Sequence, residues 1–176
     1  MKRLLLLSTV AILALPAAGA QAATGHTVDL VSGRVDGHRI LGRTVAGVTA
    51  ALGRPDFRAG TRSYYRIGWG SPSDFSIEVL FHRSGRVQRA WSIVFERGPV
   101  RDVKLGDLLQ HRSAALQAAI RAHYRDTFKL LRPYACKSGS TCVGEFAARS
   151  GSLHLSFGTQ PVTGTWLTVW QPLASA

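Results

Sequence analysis

The chain has 176 residues, with 22 lysines and arginines against 10 acids, for a formal net charge of +12. That length suffices for one ordinary domain or two small packed repeats, and beyond its N-terminal segment no stretch is apolar enough to span a bilayer. The charge, almost all arginine, attracts anionic partners such as an acidic protein, a phosphate-rich polymer or a negatively charged envelope, with solubility as the competing reading; no nucleic-acid reading motif is present, and nucleic acid is set aside as a partner.

The first element is an export signal. Lys2 and Arg3 precede the apolar run Leu4 to Leu15, which only Ser8 and Thr9 interrupt, and Ala20-Gln21-Ala22 fits small-x-small cleavage. A spanning helix needs roughly 20 apolar residues, more than this run offers. The expectation is a cleaved signal peptide over residues 1–22 and a secreted or periplasmic product. No cysteine near the cleavage point offers a lipid attachment site.

Residues 23–42 read as a β-prone segment broken by Gly33 and Gly37, holding a strand near Val28 to Val31 or a loose hairpin. A short helix follows. Thr44 is placed to cap it, Val45, Val48 and Leu52 repeat on one face, and Gly53 with Pro55 ends it. Such a helix is too short to stand alone, so its stripe must lie on something. Strands follow over Arg62 to Trp69, Asp74 to His82 and Arg86 to Phe95. In the second, Phe75, Ile77, Val79 and Phe81 alternate with polar residues. In the third, Val87, Trp91, Ile93 and Phe95 are read as inward. The turn Arg83-Ser84-Gly85 joins these two into a hairpin.

The order then begins again. A helix over Ser113 to Tyr124, with Ser113 as its cap, precedes strands at Phe128 to Pro133, Cys142 to Ala148, Ser152 to Gly158 and Thr165 to Gln171. Arg-Ser-Gly recurs at Arg149-Ser150-Gly151, and the same shift carries Trp91 onto Phe157. The fold expected is α+β: two tandem helix-plus-antiparallel-sheet repeats, residues 43–100 and 101–176, with the helices on one face of the sheets.

The two cysteines, Cys136 and Cys142, flank a turn-like KSGST. The spacing suits a local disulfide worth about 2 kcal/mol. It lacks the second ligand pair of a metal site and the C-x-x-C of a redox site.

Gly42, Thr44, Val48, Leu52, Gly53 and Pro55 form a G-x-T…V-x-x-x-L-G-x-P pattern. With the helix-then-strands order, it resembles the superfamily of the β-lactamase inhibitor protein and the small outer-membrane assembly lipoproteins. The resemblance implies a non-enzymatic binding protein whose sheet surface holds a partner; no contact residue is carried over from it.

Chemistry finds little support. There is no G-x-S-x-G elbow, no grouped carboxylate pair, no H-x-H or H-E-x-x-H and no phosphate loop. No catalytic, cofactor or metal residue is assigned. His154, between Leu153 and Leu155, points away from their face. The aromatics say more. Trp166 and Trp170 share one face of their strand, and Tyr65 and Trp69 stand beside Arg62 and Arg66. These are the residue types of binding hot spots, although core packing competes for each aromatic. The leading expectation is a secreted, non-catalytic module that binds another protein or an anionic envelope component. The candidate contacts are Tyr65, Trp69, Trp166, Trp170, Arg62 and Arg66. A small hydrolase with a dispersed site and a basic structural protein held on anionic polymer are the alternatives.

Overall fold

A computed structural model describes residues 25–61, 64–71, 74–136, 142–160 and 164–173. The segment expected to be a signal peptide, residues 1–22, and Arg62 lie outside the described residues. In chain order the elements are β1 (His26–Asp29), β2 (Arg34–Val35), β3 (His38–Arg39), α1 (Val45–Leu52), β4 (Phe57–Gly60), β5 (Tyr64–Ser71), β6 (Asp74–Ser84) and β7 (Val87–Phe95). Then come β8 (Val100–Asp102), β9 (Gly106–Asp107), α2 (Ser113–His123), β10 (Phe128–Cys136), β11 (Cys142–Ala148), β12 (His154–Gln160) and β13 (Gly164–Trp170).

The long strands form one eight-stranded antiparallel sheet, in the order β10-β11-β12-β13-β7-β6-β5-β4. The short ones form a five-stranded sheet, β3-β2-β1-β8-β9, whose β1–β8 pair is parallel. One face of the large sheet carries Ile77, Val79, Phe81, Ile93, Phe95, Leu155, Phe157, Leu167 and Val169. These join Val28, Leu30, Val35, Val100 and Leu108 from the small sheet and its turns in a single buried cluster. Val48 of α1 and Leu116 and Ile120 of α2 complete it.

This arrangement corrects the expected fold. The protein is mostly β and sandwich-like, not an α+β pair of tandem helix–sheet repeats. Leu167↔Phe95 and Val169↔Ile93 pair β13 with β7, so strands from both halves of the chain belong to one sheet. Helices of 8 and 11 residues cannot cover eight strands. The small sheet supplies the remaining cover, and its strands of two to four residues are too short to show alternation.

Locally, the helix signals hold where a side chain had one available role. Thr44 caps α1, its Oγ1 accepting from Gly47 N at 3.2 Å, and Gly53 leaves the helix at φ 85°. Ser113 does not cap α2. It is buried, and its hydroxyl instead meets Thr159 Oγ1 at 2.7 Å, binding the helix to β12. Arg112 occupies the cap position with no side-chain hydrogen bond. Cys136 and Cys142 sit opposite each other on β10 and β11 and are disulfide-bonded. Among the described residues, no helix is long and apolar enough to cross a membrane.

Candidate functional site

The second face of the large sheet carries a different set of side chains. On β13, Trp166, Thr168 and Trp170 alternate with the buried Leu167 and Val169. Register places Gly158 beside Trp166 and His154 beside Trp170 on one flank, with Ser92 beside Trp170 and Val94 beside Thr168 on the other. Leu80 is opposite Ser92, and Glu78 is opposite Val94.

Gly158 is required by this packing. A Cβ there would lie 2.7 Å from the Trp166 indole and 2.3 Å from the Cys142 carbonyl oxygen. Trp166 therefore lies over bare backbone, and its Nε1 is buried without a hydrogen-bond partner. Trp170 is fixed differently. Its Nε1 donates to Ser156 Oγ at 3.0 Å, and its ring meets the His154 imidazole at 4.3 Å between centroids.

A third tryptophan joins them. Sequence alternation predicts Trp91 inward, but β6 and β7 change register between the pairs Leu80↔Ser92 and Phe81↔Ala90. The extra residue of this bulge is Trp91. It faces the same side as Trp170, ring centroids 6.5 Å apart at 76°. Val87, also predicted inward, is exposed. Leu80, Trp91, Val94, Trp166 and Trp170, with Ser92, Ser156 and Thr168, line a largely apolar hollow of about 390 Å³.

Two polar pairs flank the hollow. Arg66 Nη1 donates to Glu78 Oε1 at 2.8 Å, and the Arg66 guanidinium also lies 5.7 Å from the Phe57 ring centre. Burial pushes the Glu78 carboxyl above the ordinary glutamate value; Arg66 opposes the shift and Glu96 adds to it. On the other flank His154 Nδ1 and Glu145 Oε1 are 3.2 Å apart.

The structure thus gathers Trp166, Trp170 and Arg66 on one face. It does not gather Tyr65 and Trp69 with them. Both lie half-buried against the core cluster, Tyr65 with its ring 6.1 Å from Phe81 and Trp69 opposite Ile77. Sequence reasoning missed Trp91, Leu80, Val94 and Ser156 as parts of the hollow. Leu80 carried a signal: it follows Val79 and precedes Phe81, so strict alternation already turned it away from the core. Compared with known protein families, curated proteins and solved structures, the chain matches none of them.

Proposed function

We propose that the protein is an exported, non-catalytic binding module that captures another protein on the outer face of its eight-stranded sheet. The observation that carries this reading is the hollow walled by Trp91, Trp166 and Trp170 on a face that lies outside the buried cluster. Fixed indoles suit an anchor residue. Trp166 rests on Gly158 and Trp170 is held by Ser156, so little rotamer freedom remains to be lost when a partner side chain enters. The flanking pairs Arg66–Glu78 and Glu145–His154 present partnered polar edges around an apolar centre, the anatomy of a protein-binding patch. The resemblance carried by Gly42, Thr44, Val48, Leu52, Gly53 and Pro55 supports the same reading, because it implies a sheet surface that holds a partner.

Immobilised protein should retain a discrete partner from the secreting cells' medium and envelope extract. Trp170→Ala should reduce that retention by about thirtyfold or more, as loss of a hot-spot anchor does, while the protein stays folded by circular dichroism. Equal retention by Trp170→Ala and by a Trp91→Ala/Trp166→Ala double variant would overturn the proposal.

A further inference from the structure

A second surface, where α2 meets the β10 edge of the large sheet, shares no residue with the tryptophan hollow and gathers cations. Arg121 near the end of α2, Arg125 just beyond it, Lys129 on β10 and Arg149 after β11 surround a cavity of about 410 Å³. Its floor includes Phe128 and Phe146, which belong to the core. All four cations are exposed. The sole ion pair there among the described residues is Arg125 with Asp126 at 3.8 Å, and both side chains stand in water, where such a pair contributes little. Arg149 is held in place: its Nε and Nη2 donate to the Arg125 carbonyl at 3.3 and 3.2 Å, and its backbone N donates to Thr127 O at 2.8 Å.

Charge kept only for solubility is best spread out, since like charges that converge repel one another. Here three arginines and one lysine line a single concavity. We propose that this cradle binds a linear, phosphate-bearing polymer, independently of the sheet face. The Arg121 and Arg125 guanidinium forks match paired phosphate oxygens, and the tied Arg149 adds its charge. The cradle opens beside β10, the edge strand of the large sheet. A bilayer suits it less well. Phe128 and Phe146 are 3% and 1% exposed and have no apolar surface to insert, and a concave wall does not meet a flat headgroup plane.

The test is fluorescence anisotropy of labelled inorganic polyphosphate with the purified protein across a salt series. Four phosphate contacts predict a log–log salt slope of about −3. The variant Arg121→Gln/Arg125→Gln/Lys129→Gln/Arg149→Gln should bind about tenfold or more weakly at moderate salt. A control with the same charge loss on other exposed arginines, Arg54→Gln/Arg58→Gln/Arg86→Gln/Arg101→Gln, should lose much less. If the quadruple cradle variant misfolds, Arg121→Gln/Lys129→Gln leaves the Arg149–Arg125 tie intact and should weaken binding on its own. Equal weakening in cradle and control variants would overturn the proposal, as would tighter binding to alginate or to phosphatidylglycerol vesicles than to polyphosphate. Trp170→Ala should bind polyphosphate normally, which separates failure here from failure of the sheet-face reading.

Discussion

The two faces of the eight-stranded sheet are built from the same strands and both carry large aromatic side chains, yet they end in different states. On the inner face Phe81, Phe95 and Phe157 are fully buried, and Phe157 is ringed by Phe146 at 5.9 Å and Tyr134 at 6.3 Å. On the outer face Trp91, Trp166 and Trp170 are only half-buried, and their neighbours are serines, a threonine and paired charges. What separates the faces is cover. The helices and the small sheet lie on the inner face alone. Alternation reveals that a strand has two faces; it does not reveal which one another element will cover.

The comparison breaks most visibly with truncation. Phe157→Ala should cost about 3–5 kcal/mol, since it removes a buried ring and leaves a cavity inside close-packed neighbours. Trp170→Ala should cost about 1 kcal/mol, chiefly its edge contact with Trp91 and its bond to Ser156. Urea melts of the two variants would measure the difference. A loss for Trp170→Ala as large as for Phe157→Ala would mean that the outer face is core.

A smaller effect sharpens the same contrast from the backbone side. Gly158→Ala places a methyl against both the Trp166 indole and the Cys142 carbonyl, and the carbonyl cannot move cheaply. The expected loss is about 1–3 kcal/mol. The Trp166 ring must also lift from the strand, so tryptophan fluorescence should shift toward a more polar environment. An unchanged spectrum would show that the indole does not depend on bare backbone there.

Much of this was legible from residue order, for physical reasons that differ by region. Helix α1 declared itself through Thr44, Val48, Leu52, Gly53 and Pro55, each with one available role. The β6–β7 hairpin was clear because its alternation runs long and Gly85 takes φ 61° at its turn. The small sheet was not clear, although its hairpins share a usable cue. Asp29 Oδ1 accepts from Val31 N and Ser32 N, and Asp102 Oδ1 accepts from Lys104 N and Leu105 N. Each aspartate is followed four residues later by a glycine of positive φ, Gly33 or Gly106. That D-x-x-x-G turn marks β1–β2 and β8–β9 where alternation could not. Trp166 and Trp170 were legible as neighbours on one face. Trp91 was not, because a single-residue bulge reverses orientation without changing composition.

The smallest expected effect is electrostatic. On the inner face, the large sheet's fully buried core side chains are apolar and do not titrate. On the outer face Glu78, with its side chain only 7% exposed, remains tied to Arg66. Burial is the main cause of its raised pKa, and Arg66 recovers only part of the cost. Between the ordinary glutamate value and the raised one, the folded protein holds a proton that the unfolded chain has lost. Glu78 therefore contributes stability that is full below the ordinary value and declines as pH rises through the folded value. Glu96, also raised mainly by burial, acts in the same sense. Asp29 and Asp36 act in the opposite one. Burial works against their charge, but hydrogen bonds from Ser32 and Val31 to Asp29, and from His26 and Thr27 to Asp36, outweigh it and lower both pKa values. Their contribution is present above the ordinary aspartate range and is lost as pH falls through the folded values. Glu78→Gln keeps an acceptor for Arg66 and cannot ionise. Stability measured from about pH 4 to about pH 7 should thus decline less in the variant than in the parent. Parallel pH profiles would show that Glu78 is solvated like a surface carboxylate, and the outer face would lose its buried polar flank.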